Sequence, residues 1–129
     1  MLSRTCGVTV LLVGVGGFLG ATARYVVDLA LTAVIGGRFP VGILVVNVSG
    51  AFVLGLLYAV TDRGMLPDGI RAPLFIGFIG AYTTFSTWTL DTWRLIEAGA
   101  VTMAALNLVG AALLGMVAVV AGLAVGRAI

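Results

Sequence analysis

The residues able to do chemistry here are few, and their types suit the handling of an ion. There is no histidine, which removes imidazole acid–base catalysis and His-based metal sites. Cys6 is the single cysteine, so neither an intrachain disulfide nor a thiolate metal cage can form; a small packing residue is the plainer role. What remains are two amides, Asn47 and Asn107, a cluster of hydroxyls at 83–89, isolated arginines and five carboxylates, of which Asp28, Asp91 and Glu97 lie toward helix ends. No enzymatic activity and no nucleic-acid partner are expected.

The segment from Phe75 to Trp88 is the most informative. Five of the seven residues from Thr83 to Thr89 carry hydroxyls: Thr83, Thr84, Ser86, Thr87 and Thr89. With Gly77 and Gly80 they permit a locally broken helix in mid-membrane, whose freed carbonyls persist only where protein or an ion satisfies them. Freed carbonyls suit a hard cation such as Na⁺, whereas hydroxyl hydrogens and the positive ring edges of Phe85 suit a small anion. The alternative is that the hydroxyls bond carbonyls one turn earlier and merely bend the helix. Asn47 lies inside the uncharged run Phe39–Thr61. It serves either as interhelical glue or as a donor to a passing anion. Asn107 is a second mid-run amide, expected to bond the second or third helix, with Asn47 among the candidates. Arg24 either snorkels to the interface and pairs with Asp28 one turn on, or stands as a fixed positive charge at a pore mouth.

The elements that position these groups are membrane helices. Of the 129 residues, 61% are hydrophobic and 9% charged, against about 25% charged in soluble domains, and the mean hydropathy is +1.23. Uncharged runs cover Thr5–Ala23, Phe39–Thr61, Ala72–Leu90 and Ala98–Gly126. Each approaches or exceeds the roughly 20 residues of a spanning helix, and no strand-like alternation of polar and apolar residues suggests a barrel. One domain, 1–129, is expected, all-α, with helices at about Val8–Ile35, Val41–Val60, Pro73–Ile96 and from Ala98-Gly99 to Val125. Residues Thr61–Arg71 form the longest polar connection. A cleavable leader ending at Ala21-Thr22-Ala23 is the rival for the first run, but the run is long and Gly-rich, Arg24 follows it directly, and the apolar pattern resumes at Tyr25.

Four spans place Arg4, Arg63, Arg71 and Arg127 on one side, and Arg38, with Arg24 and Arg94, on the other. Four against three is a weak orientation signal. It fits a chain that inserts both ways and pairs antiparallel, and it also fits a chain with too few charges to bias anything. Gly16…Gly20, Gly122…Gly126, Ala51…Gly55 and Ala111…Gly115 are small-x-x-x-small pairs for close helix contact, within one copy or between two.

The motifs Gly-Gly-x-x-Gly-Ala-x-x-Arg-Tyr at 16–25, Asn-Val-Ser-Gly at 47–50 and Gly-Phe-x-Gly-x-x-Thr-Thr-Phe-Ser-Thr at 77–87 together resemble the CrcB/Fluc fluoride channels over the whole chain. The resemblance implies four transmembrane helices with a broken third helix, an antiparallel dual-topology dimer, two narrow fluoride paths, and a bacterial inner-membrane location. It implies a structural, untransported Na⁺ at the dimer centre, held by the backbone carbonyls of Gly80 and Thr83. It assigns Asn47, Phe85, Ser86 and Thr87 to the fluoride path and Arg24 to the end of the first helix. Trp88 stands where the family has a second pore phenylalanine. It keeps an aromatic edge, adds an N–H and is larger, which opens the alternative of a heterodimer with a paralogous subunit. The expected activity is passive fluoride export, lowering cytoplasmic fluoride toxicity. The rivals are a small four-helix drug/proton antiporter, which needs a buried acid in the middle of its first helix, and a non-conducting subunit or scaffold.

Overall fold

The computed structural model describes residues 4–129, with side chains from Cys6 onward. Helix α1 spans Arg4–Ile35 and α2 spans Val41–Asp62. Gly36 and Gly37, both at positive φ, end α1, since only glycine takes that conformation without strain. Helix α3 covers residues 68–82, α4 is Phe85–Glu97, and α5 covers residues 101–128. Gly99, also at positive φ, makes the turn between α4 and α5. All described regular structure is helical.

Three helices, Cys6–Ile35, Val41–Asp62 and Val101–Ala128, are long and apolar enough to cross a membrane. The third run is divided between α3 and α4. Two stretches within these helices widen to π-helical hydrogen bonding: Pro73–Ile79 in α3 and Leu106–Gly110 in α5. Proline explains the first. It has no N–H and crowds the carbonyl one turn back, so the register behind it slips; Gly80 N–H reaches back to the Phe75 carbonyl. Helix α3 thus starts at Asp68, earlier than the expected Pro73, with Arg71 and Asp68 paired at 3.3 Å.

Glycine decides how the helices meet. Helix α1 lies on α3, and α2 lies on α5. A Cβ on Gly20 would collide with the Phe78 backbone, and one on Gly77 with that of Val13. Likewise a Cβ on Gly55 would meet the Val119 carbonyl, and one on Gly122 the Phe52 carbonyl. The 16/20 and 122/126 pairs are therefore used inside this chain. Gly115 has open space around it, so its motif makes no such contact here.

The ends group the charges. Arg63 Nη1 donates to the Arg127 carbonyl at 3.1 Å, which puts those arginines at one end. Arg38, Asp91 and Arg94 share a cleft at the other, with Arg94 and Asp91 at 3.6 Å. Arg24 is half-buried, and it forms no ion pair with Asp28. The side chain of Arg4 lies outside the described residues.

Candidate functional site

The site grows from two residues that leave the helix. Thr83 N–H still bonds the Ile79 carbonyl at 3.0 Å, but its ψ swings to 155°. Thr84 is fully extended, at φ −148°, ψ 120°. An α-helix would carry Thr84 N–H to the Gly80 carbonyl. It donates instead to Asn47 Oδ1 at 2.8 Å, while Asn47 Nδ2 donates to the Thr84 carbonyl at 3.0 Å. One side-chain amide from α2 thereby closes both peptide groups of a single residue, as a neighbouring strand would.

Thr84 also starts α4. Its Oγ1 accepts the Thr87 N–H at 3.3 Å and donates to Thr87 Oγ1 at 3.1 Å, an N-cap of the ordinary kind. The consequence is electrostatic. Thr84 N–H and Thr87 N–H, the helical partners of the Gly80 and Thr83 carbonyls, are both turned elsewhere. Two carbonyl oxygens are left to accept from something other than the helix. Gly80 is exposed and Thr83 half-buried. Gly50 permits α2 to come this close, since a Cβ there would strike Thr83 Cγ2.

A cavity of about 270 Å³ opens beside the interruption, lined by Asn47, Thr83, Thr84, Phe85, Trp88, Ala111 and Ala112. Phe85 is 75% exposed and packs against Trp88, with ring centroids 5.3 Å apart and planes tilted by 56°. Of the residues singled out from the sequence, Asn47, Thr83, Phe85 and Trp88 meet here. Ser86, Thr87, Gly80 and Arg24 do not line this cavity. Ser86 and Thr87 sit in the first turn of α4, and Arg24 is on α1.

The hydroxyl cluster divides by role. Thr83 Oγ1 bonds the Ile79 carbonyl at 3.0 Å and Thr89 Oγ1 the Phe85 carbonyl at 2.9 Å, the back-bonding alternative. Thr84 is the cap. Thr87 Oγ1 accepts from Thr84, which leaves its own hydrogen to donate. The second hydrogen on Asn47 Nδ2 is also uncommitted. For an anion the site offers amide, hydroxyl and ring-edge donors; for a cation it offers released carbonyls. It holds no nucleophile paired with a base.

Asn107 does not reach Asn47. Its Nδ2 donates to Thr92 Oγ1 at 2.9 Å, Thr92 Oγ1 donates to the Trp88 carbonyl at 2.9 Å, and the Trp88 indole N–H donates to the Asn107 carbonyl at 2.9 Å. The tryptophan N–H is thus already bonded within the chain. Thr84 and Thr92 are the important residues not assigned roles from sequence. Thr84 had a signal, a threonine immediately before a helical run. Thr92 had none, because its importance lies in a partner fifteen positions away.

Comparison with known proteins points one way. The family model described as "CrcB-like protein, Camphor Resistance (CrcB)" matches residues 11–123. The protein named "Fluoride-specific ion channel FluC" of Magnetococcus marinus is 44% identical over 118 residues, 91% of this chain and 96% of that one. Nitrobacter hamburgensis has two relatives. "Fluoride-specific ion channel FluC 1" is 39% identical over 121 residues, 92% of this chain and 94% of its own length. "Fluoride-specific ion channel FluC 2" is 42% identical over 118 residues, 91% and 95% respectively. These relatives are named as channels and not as enzymes. With the three motifs in order, the apolar helices of a multi-pass membrane protein and a family match running across nearly its whole length, the chain belongs to the CrcB family.

Proposed function

We propose that this protein is a fluoride-selective channel that passively exports F⁻ across the bacterial inner membrane, working as an antiparallel dimer with a structural Na⁺ at its centre. The observation that carries the reading is the convergence of Asn47, Phe85 and Trp88 on one cavity beside an interrupted helix, in a chain whose relatives are named fluoride channels.

Fluoride holds its water strongly, so its path must replace that water in steps. The free hydrogen of Asn47, the Thr87 hydroxyl and the Phe85 ring edge supply donors without a full positive charge that would trap the ion, and the Ser86 hydroxyl, which donates to Thr84 Oγ1 at 3.4 Å, joins them when it turns from that bond. An inside-negative potential favours expulsion by about 2.3 kcal/mol per 100 mV, so no coupling to another gradient is needed. The Gly80 and Thr83 carbonyls would hold a Na⁺, because their own helical N–H partners are withdrawn, and such an ion would supply positive charge at the interruption. The exposed Phe85 and an apolar groove between α2 and α5, lined by Leu44, Val48, Phe52 and Leu114 among others, leave surface for a second copy to complete the path.

Two other readings are weaker. The antiporter needs a buried acid in mid-membrane, and no carboxylate is fully buried among the described residues. Pairing with a paralogous subunit is favoured by one observation, the tryptophan at position 88, and it is consistent with the two relatives of Nitrobacter hamburgensis named FluC 1 and FluC 2.

The test is ion release from liposomes carrying the purified protein, read with fluoride and chloride electrodes. Fast fluoride release without chloride, lost in Phe85→Ile, is the expected result. Well-folded protein that releases no fluoride would sink the homodimer. Recovery of release on co-expression with a paralogue would then establish the heterodimer.

A further inference from the structure

Trp88 is tied down at both ends. Its indole N–H donates to the Asn107 carbonyl at 2.9 Å. That carbonyl, in the π-helical stretch of α5, also accepts the Ala111 N–H, using its second lone pair. The Trp88 carbonyl accepts from Thr92 Oγ1, which in turn accepts from Asn107 Nδ2. Asn107 is 0% exposed. Side chain and backbone of one residue of α4 are thus joined to side chain and backbone of one residue of α5. Turning the indole breaks its hydrogen bond to a residue that is itself 0% exposed, and a buried hydrogen bond left unmade is costly.

The same indole forms one wall of the cavity and supports the Phe85 ring. A path that passes a small anion and refuses a larger one by width needs walls that do not yield. We infer that the closed ring of Trp88, Asn107 and Thr92 makes Trp88 a positioning residue that sets selectivity against chloride, and that its indole N–H bonds the protein and not the ion. The inference rests on the channel reading. It also explains how a residue larger than phenylalanine is accommodated: the π-helical stretch places a carbonyl where the indole N–H needs an acceptor.

The experiment separates the N–H from the bulk of the ring. Replacing Trp88 with β-(3-benzothienyl)alanine keeps the ring's shape and exchanges the N–H for sulfur. In liposomes this protein is expected to keep its fluoride release and to lose selectivity over chloride by roughly tenfold, the scale of one hydrogen bond. A tenfold fall in fluoride release with chloride still excluded would make the N–H an ion donor and overturn the inference. Unchanged release of both ions would overturn it too. A second measurement covers failure of that variant to assemble. In Trp93→Phe protein labelled with ¹⁵N at the indole, the Trp88 Nε1–H should resist exchange with deuterium and hold its chemical shift as fluoride is raised. A saturable fluoride-dependent shift, or fast exchange, would defeat the lock. If the natural protein passes no fluoride either alone or co-expressed with a paralogue, the channel reading fails and takes the inference about selectivity with it, while the exchange measurement still reports the lock by itself.

Discussion

Asn47 holds Thr84 with its oxygen and one hydrogen, and its other hydrogen is uncommitted, the one the proposed path would offer to an ion. Asn47→Ala should therefore remove more than a donor. It strands the Thr84 N–H, whose residue is 7% exposed, and an unsatisfied buried group costs about 1–3 kcal/mol. Both a lower melting temperature in detergent and a fluoride release reduced at least roughly tenfold are expected, because a tenfold effect corresponds to about 1.4 kcal/mol. Asn47→Asp is the sharper variant. It keeps an acceptor for Thr84 N–H, loses the donor, and brings negative charge to an anion path. Liposome release should fall to background while the melting temperature falls less than in Asn47→Ala. Equal melting temperatures in the two variants would mean that the Thr84 clamp contributes nothing.

The helices owe their arrangement to where side chains are missing. Gly20 lets α1 rest on the Phe78 backbone, while Gly14 of the same helix has open space around it. Alanine is the better helix former by about 1 kcal/mol at either place. At Gly14 that gain should appear as unchanged or slightly raised thermal stability. At Gly20 the added methyl must push two backbones apart, and overpacking of this kind costs about 1–3 kcal/mol. Gly20→Ala is thus expected to melt lower than the parent and Gly14→Ala not to, in parallel detergent thermal-shift measurements. Interruption is built at this scale as well. Pro73 slips the register of α3 before Thr83 and Thr84 leave it, and the cap at Thr84 restarts α4 at once, so only two residues are spent between helices.

At the scale of the molecule, the cavity is open and its most prominent ring, Phe85, is largely uncovered, so the proposed path is half a structure. An antiparallel partner supplies the other half only if the chain enters the membrane both ways. The arginines at the two ends, Arg63 and Arg127 against Arg38 and Arg94, offer little net bias. In Cys6→Ser protein carrying Ile129→Cys, a membrane-impermeant thiol reagent should label about half of the chains from each face of intact cells or vesicles, as a weak charge bias implies. Labelling from one face alone would rule out the antiparallel pair.

The membrane class, the helical runs and the polar stretch at 83–89 were legible in the sequence, because composition and run length act locally: a bilayer demands about 20 apolar residues wherever they stand. Partnership was not legible. That Asn47 would close on Thr84, that Thr83 and Thr89 would spend their hydroxyls one turn back, and that Asn107 would meet Thr92 and Trp88 all depend on which helix faces lie together. Those faces are chosen by backbone approach at Gly20, Gly50, Gly55 and Gly122 and by the slipped register after Pro73. Residue type tells what an amide or an indole is able to donate; only the tertiary structure decides what has already accepted it.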